Sequence, residues 1–183
     1  SYIWWRKTRK NDSVMEDVQR NYLEIKSLNE LIYKKKPNDN FSVEKVSKND
    51  FQLNKFFYRQ IGANHEWNDR LIWEDKKWIE YVSNPNVSTY ILKNVNDICG
   101  FFELNYHKDK LEIEIAYLGL LKEYLGKKLG GYLLAEAIKI AFSYKVKRVW
   151  VHTCSLDHKN ALNNYLNRGM KIYNTETINF KSA

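Results

Sequence analysis

The residues of this sequence that could do chemistry gather in two stretches. Residues 121–134, LKEYLGKKLGGYLL, hold Gly126, Gly130 and Gly131 at the entry of a helical pattern. A turn of this composition presents several backbone N–H groups and a positive helix end, and glycine lets a phosphate approach the chain closely. The spacing is neither GxxxxGK[ST] nor GxGxxG, so it is not a nucleotide P-loop or a dinucleotide fingerprint. Glycines at a strand-to-helix junction also serve as plain structural turns, and the loop by itself leaves both readings open. The second stretch, residues 149–170, reads VWVHTCSLDHKNALNNYLNRGM. Its apolar run passes through a polar turn into a helix whose Ala161, Leu162, Tyr165 and Leu166 share one face.

Elements on either side must hold these stretches in place. FSVEKV from residue 41 reads as a strand, FQLNKFFYRQIG as a helix closed by Gly62, and DRLIWEDKKWIEYV as a second helix with Leu71, Glu74, Trp78 and Tyr81 on one face. Three strands follow, STYILK, ICGFFELN and LEIEIAYLGL, with HKDK as a hairpin turn. Leu129, Leu133, Ala137, Ile140 and Ala141 then make a helical stripe, and KRVWVHTCS is a strand. DHKNALNNYLNR is a helix stopped by Gly169, and MKIYNTETINF is a last strand. Residues 1–36 show no sustained period and read as an arm outside the core. The order predicts an α/β (α+β) fold, a mixed and mostly antiparallel central sheet flanked by helices, in a single domain over residues 37–183. Ligands of such sheets sit at carboxyl ends of strands where the sheet changes direction, here after Leu120 and after Thr153.

Composition bounds the function classes. In 183 residues, 44% are apolar and 15% aromatic, which is a globular composition and not a disordered one. No apolar run is long enough for a membrane helix, and the bases Arg6, Lys7, Arg9 and Lys10 stand where a signal peptide needs its apolar core. A cytoplasmic protein is the expectation. Cys99 and Cys154 lie in apolar strands and read as free buried thiols, and no His/Cys spacing suits a metal, so none is expected. A net charge of +8 raises the question of nucleic acid. Only the first ten residues cluster bases without acids, and no nucleic-acid reading motif is present, so a merely basic surface is favoured over nucleic acid as a partner.

Taken together, the two stretches resemble the acyl-CoA-binding core of the GNAT (Gcn5-related) N-acetyltransferase superfamily. EIAYLGLLKEYLGKKLGGYLL is similar to that family's fourth strand, pyrophosphate loop and third helix. VWVHTCSLDHKNALNNYLNRGM is similar to its fifth strand and next helix, with Ala161, Tyr165 and Gly169 at the NxxAxxxYxxxGF spacing. The flanking YLEIKSLNEL and the stretch from FYRQIG to IWEDKKW resemble an uncharacterised bacterial branch of the family. Three positions depart from the family pattern: Leu125 stands where Gln or Arg is usual, Lys128 where the middle glycine is usual, and His158 where Asn is usual.

The resemblance implies acetyl-CoA as acyl donor, no metal, and direct attack on the thioester by a primary amine of a small molecule or peptide. It places the donor on Leu118, Gly119, Leu120, Leu125, Gly126, Lys127, Lys128, Leu129, Gly130, Gly131, His158 and Ala161. Lys128 is expected to begin the helix in right-handed geometry, and Asp157 to cap the helix after it. Glu114, which shares a strand face with Glu112, is the candidate base, and Tyr165 the acid for the leaving thiolate. Trp67, Trp73, Glu66 and Tyr117 are the candidate acceptor residues, since aromatics with carboxylates suit a cationic amine. A catalytically silent acyl-CoA-binding module and a basic nucleic-acid-associated protein are the competing classes. Self-association as a homodimer stays open.

Overall fold

The computed structural model describes residues 15–47 and 50–181. Seven strands form one sheet: β1 (Met15–Ile25), β2 (Phe41–Lys45), β3 (Val87–Asn94), β4 (Asp97–His107), β5 (Glu112–Leu120), β6 (Arg148–Cys154) and β7 (Lys171–Lys181). Their order across the sheet is β2-β3-β4-β5-β6-β1-β7. Every neighbouring pair is antiparallel except β5 and β6. This is the mixed, mostly antiparallel sheet expected from the sequence.

Two apolar clusters hold helices to opposite faces. Adjacent residues of β4 point to opposite sides, so Phe101 joins Phe57, Tyr58, Ile61 and Trp78 of α1 (Phe51–His65) and α2 (Asp75–Ser83). Phe102 instead joins Leu133, Ala137 and Ala141 of α3 (Gly130–Ser143). A short α4 (Ala161–Asn167) closes the second stretch, and Gly169 follows its end with φ 98°. Cys99 and Cys154 are buried and not joined in a disulfide, as expected.

Three features differ from the sequence reading. Residues 15–25, assigned to an arm, form β1 inside the sheet between β6 and β7. Val18 is buried on one face of β1 and Leu23 and Ile25 on the other, so no single alternation marks the strand. Gly62 does not close α1: the helix runs on to His65 and ends where Glu66 adopts φ 57°. The second helix starts only at Asp75, which leaves Asp69, Arg70 and Trp73 in an irregular segment between α1 and α2. Among the described residues, no helix is long and apolar enough to cross a membrane.

Candidate active site

β5 and β6 pair only from Glu112–Arg148 to Glu114–Trp150 and then diverge. Across β5, Leu104 of β4 pairs with Ile115 and Glu103 with Tyr117, so Ala116 is an extra residue in the ladder. Such a bulge increases local twist and swings the end of the strand away. Beyond it the backbone groups of β5 that face β6 have no strand partner. Two cavities occupy the fork, one of about 260 Å3 at the glycine loop and one of about 350 Å3 beneath the α1–α2 segment. Leu118 and Tyr165 line both, so the cavities meet at these two side chains.

The loop cavity is built from β5 residues Leu118, Gly119 and Leu120, loop residues Leu125, Gly126 and Lys128, and Leu129, Gly130 and Gly131 at the start of α3. His158 and Ala161 close it from the α4 side. Of the twelve residues proposed for the donor only Lys127 lies outside, its Nζ 5.8 Å from the Tyr124 ring centroid. α3 has no side-chain cap, so the first amides of the helix have no intrahelical acceptor. Asn164 Nδ2 donates to the Gly130 carbonyl at 3.0 Å and ties α4 to this helix start. Lys128 does not begin the helix in right-handed geometry. It has φ 61°, the region the usual glycine adopts freely, and α3 starts two residues later. Gly126 is also left-handed, at φ 75°.

The aromatic cavity contains three of the four proposed acceptor residues, Trp67, Trp73 and Tyr117, together with Glu114. Glu66 is not among them. As the left-handed residue after α1, it turns to a separate cleft beside Arg59 and Leu71. Other polar residues complete the wall: Asp69, which the sequence placed among the acceptor-region carboxylates, Asp157, which it read as a helix cap, and Arg20 from β1, Arg70 from the α1–α2 segment and His152 from β6, which it did not single out. Asp69 Oδ1 accepts from the hydroxyls of Tyr117 and Tyr58 at 2.6 and 2.9 Å. Arg70 is buried against Glu103 and is ringed by aromatic side chains, with Tyr81 and Tyr117 centroids 4.2 and 4.3 Å away. A buried guanidinium needs both a carboxylate and π faces to replace its water.

Titration follows burial. The Glu114 carboxyl is pushed above its usual range by desolvation, an effect that His107 at 3.4 Å opposes. Desolvation also pushes the Tyr165 phenol well above its ordinary value. Its hydroxyl has no hydrogen-bond partner among the described residues, and no side chain competes for the proton it would donate. His152 is pushed down to about 4 by burial and by Arg20 nearby, so it is neutral at physiological pH. Asp157 does not cap α4, which begins after Asn160. Its Oδ1 instead meets His65 Nδ1 at 2.6 Å and the His158 amide at 2.8 Å, while Thr153 donates to Oδ2 at 2.8 Å. The fork thus offers amide donors at one end and a caged, acid-lined cavity at the other. A raised carboxyl borders the aromatic cavity, and a protonated phenol stands where the two cavities meet. Among the described residues, no group of three or more His, Cys, Asp or Glu is placed to hold a metal.

The model of the acetyltransferase (GNAT) family matches residues 50–170. A search of curated proteins finds no match. Among solved structures, an aminoglycoside acetyltransferase from an uncultured soil metagenomic sample, in complex with trehalose, is 17% identical with a TM-score of 0.60. The match covers 73% of this chain and 90% of that one. A functionally unknown conserved protein from Staphylococcus epidermidis is 17% identical over 95% of this chain and 69% of its own, with a TM-score of 0.61. A GCN5-related N-acetyltransferase from Kribbella flavida is 14% identical over 90% of this chain and 58% of its own, with a TM-score of 0.64. At these identities the structures speak for the fold, while the family model spans more than half of the chain together with the loop, the fork and Tyr165. The chain belongs to the GNAT family and is an acetyltransferase.

Proposed function

We propose that the chain transfers the acetyl group of acetyl-CoA to a primary amine of a small molecule or peptide by direct attack. The observation that carries this reading is the meeting of the two cavities at Leu118 and Tyr165 inside the β5/β6 fork. The donor's pyrophosphate would lie on the free amides of α3 and beside Lys128, and its pantetheine arm along Leu118–Leu120. That route brings the thioester to the junction, where a main-chain N–H between Leu118 and Leu120 polarises its carbonyl.

The acceptor would enter through the aromatic cavity between Trp67, Trp73 and Tyr117. An alkylammonium has a pKa near 10.4 and must lose a proton before it attacks. Glu114 borders that cavity, and its raised pKa makes it a stronger base than an exposed carboxylate. Tyr165 supplies the proton to the departing thiolate. Its raised pKa keeps it protonated until a thiolate forms next to it.

The test is release of free CoA thiol from acetyl-CoA with a panel of primary amines, with the acetylated product identified by mass. Thermal shifts with acetyl-CoA run beside it, since a ligand of the folded state raises the melting temperature by mass action. Flat thermal shifts with a folded protein would overturn the donor assignment. A clear shift without turnover over the panel would favour a silent acyl-CoA-binding module.

A further inference from the structure

His65 and Asp157 form a dyad that spans both cavities. The ring borders the loop cavity and the carboxylate borders the aromatic cavity. Both side chains are nearly buried, at 12% and 10% exposure, with His65 Nδ1 2.6 Å from Asp157 Oδ1. Thr153 and the His158 amide hold the carboxylate in place. A carboxylate on Nδ1 keeps the proton there and leaves a lone pair on Nε2. That nitrogen faces the donor strand: a Cβ built on Gly119 would lie 3.6 Å from it. Trp67 and His158 pack on the ring, with centroids 5.1 and 5.5 Å away. Asp157 and His158 are the titratable groups that face it.

Proton counting shows what such a group would do. An ammonium acceptor loses two protons on becoming an amide, while the thiolate takes up only one. Glu114 borders only the aromatic cavity and serves the first loss. Tyr165 keeps its proton and is a donor. His158 Nδ1 accepts from the Asn160 amide at 3.2 Å, which puts its own proton on Nε2 and leaves it no free lone pair. His152 lines the aromatic cavity alone, and burial holds it down to about 4, which makes it a weak base. His65 Nε2 is the imidazole acceptor that faces the donor strand.

We propose that His65 is a catalytic residue that takes the second proton from the amine nitrogen, with Asp157 as its positioning residue. The inference rests on the donor and acceptor reading above. Glu114 removes one proton from the ammonium, and the amine attacks to form the N–C bond. The tetrahedral adduct then gives its remaining excess N–H proton to His65 Nε2. The C–S bond breaks, the electron pair leaves with sulfur, and Tyr165 protonates it. The imidazolium returns its proton to the tyrosinate. Glu114 releases the other proton to water, so ammonium and thioester yield amide, thiol and one proton.

The experiment uses the full chain with acetyl-CoA and saturating spermidine, a lysine-containing peptide or tyramine, from pH 6 to 10. His65→Gln is expected to lower kcat at pH 7 by about 10²-fold with the KM for acetyl-CoA unchanged. The deficit should shrink as the pH rises and hydroxide replaces the base. Asp157→Asn should also lower kcat at pH 7 with the KM for acetyl-CoA unchanged, because the carboxylate that holds the proton on Nδ1 and leaves Nε2 an acceptor is gone. A His65→Gln kcat within about threefold of the wild type overturns the proposal, as does a loss that resides in the KM for acetyl-CoA. If His65→Gln does not fold, a kcat of Asp157→Asn within about threefold of the wild type overturns it. Wild-type protein that turns over none of the amines sinks the acetyl-transfer reading together with this inference, whereas active wild type with an equally active variant sinks the inference alone.

Discussion

Arg70 Nη1 lies 3.0 Å from Glu103 Oε2, with 4% and 1% of the two side chains exposed, and Arg70 lines the aromatic cavity. Asn54 and Tyr81 also donate to the Glu103 carboxylate, at 3.0 and 3.2 Å. The carboxylate is therefore satisfied from three elements, and the guanidinium props the aromatic ring system of the cavity from below.

Removing either partner alone leaves an uncompensated buried charge, which costs about 3–5 kcal/mol. Arg70→Met and Glu103→Leu should each destabilise by that amount in urea unfolding. The double variant should recover most of the loss. Additive losses would show that the ion pair is not the source.

Tyr165→Phe removes a hydroxyl that has no hydrogen-bond partner among the described residues, so the melting temperature should barely change. Turnover should fall by about 10²-fold with little change in the KM for acetyl-CoA. An unchanged rate would return Tyr165 to a packing role.

Lys128→Gly relieves a left-handed non-glycine residue, which costs roughly 1–2 kcal/mol, against the extra freedom glycine has in the unfolded chain, about 0.4–1 kcal/mol. The variant should be as stable as the wild type or more so, by up to about 1 kcal/mol, and should bind acetyl-CoA more weakly if the ammonium meets phosphate. A Cβ on Gly130 would meet only Asn164 Nδ2, at 3.6 Å, so Gly130→Val should fold. Its branched side chain stands on the wall of the loop cavity, and isothermal titration should show acetyl-CoA affinity down by at least roughly tenfold, about 1.4 kcal/mol.

His152 is held near 4 in the fold and titrates near 6.5 when unfolded. Between these values the unfolded chain binds the extra proton, so this histidine's contribution is intact above pH 6.5 and is lost as the pH falls to 4. The loss amounts to up to about 3 kcal/mol. Glu114, raised by burial, acts with the opposite sign: its contribution is present below its unfolded pKa and fades as pH rises through the folded one. Urea midpoints of His152→Gln should fall less steeply between pH 6.5 and 4 than those of the wild type. Parallel curves would count against this source of acid sensitivity.

What the sequence determined by itself is the local machinery. The glycine turn, the helix after it and the Ala161–Tyr165–Gly169 spacing lie within short stretches, and their periodicity reports the faces they present. Eleven of twelve donor positions accordingly border one cavity. Pairings between distant residues were decided by the tertiary structure. His65 and Asp157 are 92 positions apart and Arg70 and Glu103 are 33 apart, so no spacing rule links them. Sheet order brings β1 beside β6 and sets Arg20 in the wall of the aromatic cavity, and the β5 bulge opens the fork. The left-handed turns at Glu66 and Lys128 reverse local expectations, one sending a carboxylate out of the cavity and the other placing a lysine where glycine is usual. Side-chain periodicity fixes which face a residue presents, but which charges neutralise one another depends on long-range strand pairing and the desolvation it imposes.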